Sequence, residues 1–467
     1  MGNQFIEVKS PIDGALLGKV LVLSEEDIDD SMQKAKEALK YWSVTTTTKR
    51  ISILYKAAEL IERSRSELTE LLVREIGKNK QRAGAEITQT IDLLQNIIRT
   101  AKSIEQENSR CYKNGKIECS HHVPIGLVLA IAPFNYPLYV GVSKIATALA
   151  MGNTVVFKPA SESILSSLYL INIFYKAGTP EDVLHPVIGR GNRIGEYLVT
   201  HKAVNFISFT GSIETGYRIS KVVSLVPHLM ELRGKGSILV MEDADLDAAA
   251  KCIVAGAFDY SGQRFMIMKR VFVMNNVHDK LTSKILEYMK MLIVGNPLEI
   301  NADVVPLVSS YSADCVWKSI QDTLKQGGKL LAGGTRKDNL IYPTLIDKVT
   351  KNMPLAWKQP MGPVLPIITV NSIQEAVQMV NQGKYELRTT LFTKDINQAH
   401  LISEQLEVET VQINGKIERG LDHLSLSELK STGVDSQGLR SSMEAMTKLK
   451  STVVNLTIEQ KLHGGTR

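Results

Sequence analysis

Short apolar runs that each end at a turn constrain the fold of this chain more than any other feature. VPIGLVLAIAPFNYP, MGNTVVFKPAS and VNFISFTGS are three such runs, and GYRISKVV after the third has the spacing of a helix. A second series, from about 236 to 430, includes KGSILVMEDADLD, KRVFVMNNV and VLPIITVNS. Short apolar strands that alternate with helices indicate parallel sheets covered by helices. The sequence therefore predicts an α/β fold.

The N-terminal part of the chain has the periodicity of helices. Between 25 and 110 apolar residues recur at three- and four-residue spacing, as in KRISILYKAAELIERSRSELTELLVREIGK. SEEDIDDSMQKAKEALKYW begins with a serine before an acidic turn, which predicts a helix N-cap at Ser24. At 467 residues the chain is long enough for two to three domains.

Composition and charge argue against several classes of protein. The hydrophobic content of 44% and the charged content of 22% are typical of soluble globular proteins. No apolar run reaches the length of a membrane span and the N-terminus lacks an apolar leader, so we expect no membrane contact and a cytoplasmic location. A net charge of +6 without a long basic run gives no support to nucleic-acid binding. We predict no metal site, because the four cysteines do not have the spacing of metal ligands. They are Cys111, Cys119, Cys252 and Cys315.

Two segments have the features of a dinucleotide-binding crevice. Lys158 ends an apolar strand, where doubly wound sheets bind ligands, and a surface lysine is the alternative interpretation. The neutral Ser161 would not repel a ribose 2′-phosphate as a carboxylate would. Gly211 and Gly216 lie between a strand and a helix, whose N-terminal N–H groups attract a diphosphate. Because FTGSIETG is not a G-x-G-x-x-G motif, an ordinary strand–turn–helix junction is the better interpretation of this segment taken alone.

Two polar residues could take part in catalysis. Asn135 lies in a turn flanked by prolines, from which a side-chain amide can donate to a developing oxyanion. The common alternative is an asparagine that satisfies the backbone of the turn. Glu231 ends an apolar strand, where a carboxylate can act as a general base or simply form a salt bridge.

Taken together, these motifs resemble one family. PIGLVLAIAPFNYPLY, GNTVVFKPASES, FISFTGS, MELRGK, FDYSGQR and GPVLPI occur in the order found in the aldehyde dehydrogenase superfamily, over essentially the whole chain. Within that superfamily, LAWKQPMGPVLPII, VQINGKIERGLDH and QGLRSSMEAMTKLKS look most like the NADP-dependent non-phosphorylating glyceraldehyde-3-phosphate dehydrogenases.

The resemblance implies a fold, an assembly and a cofactor. The implied fold has a Rossmann-type NADP-binding domain at 1–105 and 125–233 and a catalytic α/β domain at 234–432. A small oligomerisation arm with the C-terminal segment is implied at 106–124 and 433–467. The resemblance further implies a homotetramer that uses NADP in preference to NAD and acts on a small aldehyde, glyceraldehyde 3-phosphate.

The resemblance also assigns roles to residues. In the superfamily a cysteine thiolate attacks the aldehyde, hydride passes to the cofactor, and water hydrolyses the thioester. Asn135 corresponds to the oxyanion donor and Glu231 to the general base. The implied cofactor contacts are Lys158, Ser161, Gly211, Ser212, Gly216 and Gln359.

The resemblance also assigns ligands to the phosphate group of the implied substrate. The implied ligands are Arg99, Tyr136, Arg264 and Arg419. Guanidinium groups bind phosphate bidentately, so converging arginines suit a dianion. Separate surface salt bridges are the alternative interpretation of the three arginines.

Several positions depart from the pattern of the family. Phe265 stands at the position of the nucleophile, and a phenyl ring cannot form a thiohemiacetal. Arg233 replaces a glycine, and Gln359 replaces the glutamate that bonds the nicotinamide ribose. Glycine positions are also occupied by Glu386, Glu428 and Asp435.

These departures set the functional expectation. We expect oxidation of glyceraldehyde 3-phosphate to 3-phosphoglycerate to be abolished or severely impaired, and the nicotinamide side of the cofactor to bind more weakly than the adenine side. One alternative is a non-catalytic protein that binds NADP and a triose phosphate or serves a structural role. Another is an otherwise intact enzyme altered at Phe265.

Overall fold

The computed structural model describes residues 4–107, 109–113, 116–265, 267–384, 388–415, 426–427, 433–434 and 436–455, with backbone alone for 109–113, 426–427, 433–434 and 436–437. Arg419, Glu386, Glu428 and Asp435 therefore lie outside the described residues.

Helices dominate the N-terminal quarter and then alternate with strands. The N-cap predicted at Ser24 is confirmed: its hydroxyl accepts from the N–H of Asp27 at 3.1 Å, and the Asp27 carboxylate accepts from the N–H of Ser24 at 2.8 Å. In the described part of the chain, no helix combines the length and apolar character needed to cross a bilayer. The α-helices are α1 (Glu25–Trp42), α2 (Thr47–Arg63), α3 (Arg65–Ile76), α4 (Lys80–Gln106), α5 (Pro137–Ala150), α6 (Ile164–Ala177), α7 (Gly191–Val199), α8 (Ile213–Val222), α9 (Leu246–Phe258), α10 (His278–Met289), α11 (Ser310–Lys325), α12 (Pro354–Trp357), α13 (Ile373–Asn381), α14 (Ile396–Ser403) and α15 (Leu439–Ala445).

The strands are short and mostly apolar. In β-strand conformation are β1 (Phe5–Lys9), β2 (Leu16–Leu21), β3 (Ser109–Lys113), β4 (Lys116–Pro124), β5 (Leu127–Ile131), β6 (Thr154–Lys158), β7 (Leu184–Pro186), β8 (Phe206–Gly211), β9 (His228–Leu232), β10 (Gly236–Val240), β11 (Met268–Met274), β12 (Lys329–Ala332), β13 (Arg336–Lys337), β14 (Leu340–Ile341), β15 (Thr344–Asp347), β16 (Val364–Val370), β17 (Arg388–Phe392), β18 (Thr410–Ile413), β19 (Leu426–Ser427), β20 (Gly433–Val434), β21 (Ser436–Gln437) and β22 (Thr447–Asn455).

The first large sheet has the strand order β20-β9-β8-β5-β6-β7, and its strands run parallel except β20. Both faces are covered. Val128 and Ala130 pack in a core with α2, α4, α5 and α6, whereas Leu127 and Leu129 pack in a core with α1, α7 and α8. This double burial explains why β5 is almost continuously apolar. The chain leaves β5 for β6 and β7 on one side and returns to β8 on the other, so a switch point lies between β5 and β8.

The second large sheet has the order β12-β15-β16-β11-β10-β17-β18 and is parallel except for β12. An antiparallel sheet of three strands, β22-β4-β3, stands apart from both. The α/β class predicted from the alternation of apolar runs and helices is confirmed, because both large sheets are mainly parallel and packed with helices.

Candidate active site

A cleft of about 990 Å³ lies between the two large sheets. One wall contains the carboxyl ends of β5, β6 and β8, at Ile131, Lys158 and Gly211. The opposite wall contains α11, which contributes Cys315, and the segment 358–361. The first wall includes the switch point between β5 and β8, where doubly wound sheets bind ligands. The position and the size of the cleft both suit a dinucleotide.

Lys158 contributes a buried ammonium group to this cleft. The residue is only 6% exposed, and its Nζ donates to the carbonyl oxygen of Pro159 at 3.1 Å. Burial lowers the pKa of Lys158 to about 8, and the charge of Glu162 partly opposes that shift. An ammonium group has three donors, so a ribose hydroxyl or a phosphate can still bond here. Ser161 lines the cleft close to Lys158 in sequence, and its place near a ribose 2′-phosphate stays a prediction.

The N-terminus of α8 opens into the same cleft. The Ser212 hydroxyl caps the helix by accepting from the N–H of Thr215 at 3.1 Å. A Cβ atom on Gly211 would lie 2.4 Å from the ring of Phe209, so a side chain at this position would require the ring to move. A helix N-terminus beside a closely approachable backbone favours a diphosphate. Both residues line the cleft, so the site can accommodate the cofactor that the motifs imply.

The segment before Phe265 adopts a strained backbone. Tyr260, Ser261 and Gly262 have φ values of 48°, 53° and 71°, so two non-glycine residues occupy the left-handed region. The Ser261 hydroxyl exchanges two hydrogen bonds of 2.7 Å with the backbone of Val305. A Cβ atom on Gly262 would lie 2.2 Å from the carbonyl oxygen of Gly362. Such strain persists only where surrounding contacts fix the chain, and it is concentrated at functional sites.

Phe265 itself is half-buried and lines the cleft together with Arg233. The guanidinium carbon of Arg233 lies 5.9 Å from the centroid of the Phe265 ring, within cation–π range. The backbone N–H of Arg233 donates to the carbonyl oxygen of Gly211 at 3.2 Å, which fixes Arg233 beside the α8 N-terminus. Burial lowers the pKa of the guanidinium, and Glu214 opposes that shift.

Gln359 holds the backbone of the Phe265 loop. Its Nε2 lies 3.3 Å from the carbonyl oxygen of Arg264 and 3.2 Å from that of Phe265, and it donates to both. A glutamate could not donate these bonds, because an ionised carboxylate only accepts. The amide is therefore engaged with the loop, and its contact with a cofactor ribose stays a prediction.

Asn135 also holds the loop that carries Phe265. The Asn135 side chain is 2% exposed and donates from Nδ2 to the carbonyl oxygen of Gln263 at 2.8 Å. The backbone carbonyl of Asn135 accepts from Lys78 Nζ at 2.7 Å. Gln263 in turn accepts from the N–H of Val308 at 3.0 Å. These bonds fix the Asn135 amide beside the loop, and its role as an oxyanion donor stays a prediction.

In the described part of the chain, six predicted site residues are not among those that line the cleft: Arg99, Asn135, Tyr136, Gly216, Glu231 and Arg264. Gly216 makes room for packing instead, since a Cβ atom there would lie 2.5 Å from Leu232. Glu231 accepts from the Thr210 hydroxyl at 2.7 Å and lies near Glu409. The assignment of Glu231 as general base stays a prediction.

The phosphate ligands predicted from the sequence are only partly brought together. Tyr136 lies beside Arg264, where it helps to raise the pKa of the guanidinium against the effect of burial. Arg264 and Arg82 both bind the Asp259 carboxylate, Arg82 at 2.7 Å. Arg99 is exposed on α4, where its guanidinium bonds Asn96. Arg82 was not predicted, because its pairing with Asp259 depends on tertiary contact between distant segments.

A buried ion pair was also missed. Lys78 and Glu86 are both 0% exposed and bond each other. The Glu86 carboxylate also accepts from the N–H groups of Leu138 and Tyr139, at 2.9 and 3.2 Å, at the start of α5. Lys78 Nζ lies 3.9 Å from the ring centroid of Tyr136. The pair therefore connects α4, α5 and the turn that carries Asn135.

A carboxylate with a raised pKa lies beside Glu231. Burial, reinforced by the charge of Glu231, raises the pKa of Glu409 to about 7, while Arg388 opposes the shift. In the described part of the chain neither carboxylate oxygen of Glu409 has a hydrogen-bond partner. No group of three or more potential metal ligands occurs in that part either.

This raised pKa predicts a pH dependence of stability. Because the folded-state pKa of Glu409 exceeds its ordinary value, its contribution is complete at acidic pH and is lost as the pH rises through about 7. Between pH 5 and pH 8, the free energy of unfolding should therefore fall by about 1–2 kcal/mol more in the wild type than in Glu409→Gln, allowing for partial exposure. Denaturant unfolding of both proteins at the two pH values measures this difference, and parallel changes would contradict it.

The fold and the cleft have counterparts among known proteins. A model of the aldehyde dehydrogenase family matches residues 1–452 of the chain. The NADP-dependent glyceraldehyde-3-phosphate dehydrogenase of Streptococcus equinus is 41% identical over 461 residues, which cover 98% of this chain and 97% of that protein. The protein of the same name from Pisum sativum is 39% identical over 445 residues, which cover 94% and 89% of the two chains.

Solved structures agree with these sequence relatives. The crystal structure of NADP-dependent glyceraldehyde-3-phosphate dehydrogenase from Bacillus halodurans complexed with NADP matches with a TM-score of 0.94 and 41% identity, covering 97% of this chain and 96% of that one. The glyceraldehyde-3-phosphate dehydrogenase from Methanocaldococcus jannaschii complexed with NADP matches with a TM-score of 0.92 and 30% identity, covering 98% and 100%. The fold implied by the sequence motifs is thereby confirmed.

Proposed function

The chain belongs to the aldehyde dehydrogenase family, and on this premise we propose that it binds NADP and glyceraldehyde 3-phosphate but oxidises the aldehyde to 3-phosphoglycerate poorly or not at all. The observation that carries the proposal is that Phe265 lines the cleft, and the resemblance to the family assigns the nucleophile to this residue. Without a thiolate there, no covalent bond to the aldehyde carbon can form at this position.

The cofactor part of the proposal is supported by one wall of the cleft. Lys158, Gly211 and Ser212 would hold the ribose and diphosphate of the cofactor, with an ammonium group and the N-terminus of α8. The neutral Ser161 favours NADP over NAD, because it adds no negative charge near a 2′-phosphate. When bound, the nicotinamide supplies a hydride acceptor.

The substrate part of the proposal is supported by Tyr136 and Arg264. Their side chains lie together, and Arg82 adds a second guanidinium on the shared Asp259. A phosphate dianion that approaches these arginines would compete with one carboxylate for charge-assisted hydrogen bonds. We propose weak but specific binding of the triose phosphate, to which Arg99 and Arg419 are further proposed ligands.

The assembly and the location are also proposals. In the antiparallel three-stranded sheet β22-β4-β3, the side chains of three apolar residues of β22 are exposed. They are Leu449, Val453 and Val454, at 67%, 54% and 45%. Apolar side chains that remain exposed along one strand favour association of subunits, as a homotetramer requires. We also propose a cytoplasmic location, and the free cysteines Cys119, Cys252 and Cys315 fit a reducing compartment.

The alternative is a structural pseudoenzyme that keeps the fold for assembly and binds neither ligand. The argument for this alternative is Arg233, a bulky charged side chain that lines the cleft next to Phe265. The two proposals differ in one measurable property, since only the first predicts stabilisation of the fold by ligands.

Thermal unfolding with added ligands tests the proposal. At a hundred times its Kd, NADP should add about 2.7 kcal/mol to the free energy of unfolding, while NAD at that concentration adds less. Ser161→Glu should abolish the preference for NADP, because a carboxylate repels the 2′-phosphate. Turnover should lie about 10⁵–10⁶-fold below that of a cysteine-bearing relative assayed in parallel.

The outcomes separate the alternatives. Stabilisation by neither NADP nor glyceraldehyde 3-phosphate would leave the structural role as the better account. NADPH formation at a rate close to that of the relative would overturn the proposed impairment.

A further inference from the structure

Arg233 brings a permanent positive charge to the part of the cleft that contains Phe265. The guanidinium forms no ion pair with any carboxylate in the described part of the chain, and Glu214, whose charge acts on it, is itself exposed. An arginine stays protonated at every physiological pH, so its charge cannot be relieved by loss of a proton. Any ligand that enters this part of the cleft therefore meets a cation whose charge is only partly offset, by the exposed Glu214.

The position of Arg233 is defined at two points. Its backbone N–H is fixed to Gly211, and its guanidinium carbon lies 5.9 Å from the centroid of the Phe265 ring. In the reaction of the family, the nucleophile, whose position the resemblance assigns to residue 265, and the hydride acceptor face the same aldehyde carbon, so the acceptor ring has to come within about 3–3.5 Å of that carbon. A nicotinamide ring placed for that reaction would lie within range of the Arg233 charge.

The two redox states of the cofactor differ in charge at that ring. The oxidised nicotinamide carries a formal positive charge, and the reduced ring is neutral, while the rest of the molecule is identical. Lys158 and the N-terminus of α8 attract phosphates, which both states share, so they add affinity without discrimination. Like charges repel in proportion to 1/(εr), so a cation fixed near the ring weakens binding of the oxidised state alone.

We propose that Arg233 makes this chain a selective binder of the reduced cofactor, NADPH, over NADP⁺. The inference rests on the proposed function, because it requires that NADP binds in the cleft. The inference goes further than the proposed function in naming the preferred form of the cofactor. That form is NADPH, the product that a dehydrogenase releases. Phe265 contributes by holding the guanidinium against its face.

Calorimetric titration of the purified full-length chain with NADPH and with NADP⁺ tests this proposal. With the nicotinamide ring within range of the Arg233 charge, the Kd for NADP⁺ should exceed that for NADPH by about tenfold. Arg233→Met should bring the ratio of the two constants to about two or less, and Arg233→Lys should keep most of it, since it keeps the charge.

Arg218 provides a matched control. It also lines the cleft but lies on the exposed face of α8, away from the Phe265 contact. Arg218→Met should weaken both redox states in the same proportion and leave their ratio unchanged. Equal affinities in the wild type, or a ratio that Arg233→Met does not alter, would overturn the proposal.

A probe without the nicotinamide separates this inference from the proposed function. Adenosine 2′,5′-bisphosphate shares the adenine and the 2′-phosphate with NADP. If the probe binds but NADPH and NADP⁺ bind equally, redox selection fails and the proposed cofactor site stands. If neither the probe nor NADPH binds, the proposed function fails, and the selection fails with it.

Discussion

The double variant Phe265→Cys, Arg233→Gly is expected to form NADPH from glyceraldehyde 3-phosphate and NADP at least about 10³-fold faster than the wild type, because loss of a covalent nucleophile costs up to about 10⁶-fold. The cysteine supplies the nucleophile, and the glycine removes both the cation and the side chain that occupy the cleft beside it. Initial rates of absorbance increase at saturating NADP measure the effect.

The loop should accept the new side chain. It is fixed by bonds that do not involve the Phe265 ring: Ser261 to Val305, Asn135 to Gln263, and Gln359 to two backbone carbonyls. Since Phe265 is only half-buried, its loss leaves a small cavity. The backbone that a nucleophile requires is therefore already present in the wild type.

Single variants and a serine control show which substitution causes the gain in rate. Phe265→Cys alone should gain less than the double variant, and Arg233→Gly alone should gain nothing. Phe265→Ser with Arg233→Gly matches the double variant in size but offers a hydroxyl, which is a far weaker nucleophile than a thiolate. Cys315→Ser excludes a contribution from the cysteine on α11. Activity in the serine control equal to that of the cysteine variant would contradict covalent catalysis at residue 265.

The sequence predicts those site residues whose positions follow from strand ends. The positions of four residues could be predicted because each lies at or just after the end of a strongly apolar strand, and the carboxyl ends of parallel strands share one edge. These residues are Lys158, Ser161, Gly211 and Ser212. Gly216 shows the limit of this argument: the same motif that supplies Gly211 also supplies a glycine required for helix packing against Leu232.

Other parts of the site depend on contacts between distant segments. Gln359 is 94 residues from Phe265 in the chain, and its bonds to the carbonyl oxygens of Arg264 and Phe265 form only when the two segments meet in the folded protein. Arg82 and Asp259 are likewise distant in the chain and meet in the folded protein. Lys78 and Glu86 are near in sequence, but nothing in their spacing indicates that both charges are fully buried.

Lys78→Met is expected to lower the free energy of unfolding by about 3–5 kcal/mol, the usual cost of removing one partner of a buried ion pair. The substitution keeps the length of the side chain but leaves the Glu86 carboxylate buried with only the N–H groups of Leu138 and Tyr139. It also removes the bond to the carbonyl of Asn135. Guanidinium-induced unfolding at one protein concentration measures the loss.

A second buried lysine in the chain provides the matched control. Lys269 is also 0% exposed, but its Nζ donates to the carbonyl oxygen of Gly362 at 2.8 Å, and burial lowers its pKa to about 7. Because no carboxylate is left uncompensated when it is removed, Lys269→Met should cost about 1 kcal/mol, close to one neutral hydrogen bond. Adding Glu86→Gln to Lys78→Met should recover part of the loss, since the amide oxygen can still accept from the α5 N–H groups without a buried charge. Equal losses for the two lysine variants, or no recovery in the double variant, would mean that the charge of Glu86 does not determine the stability of this network.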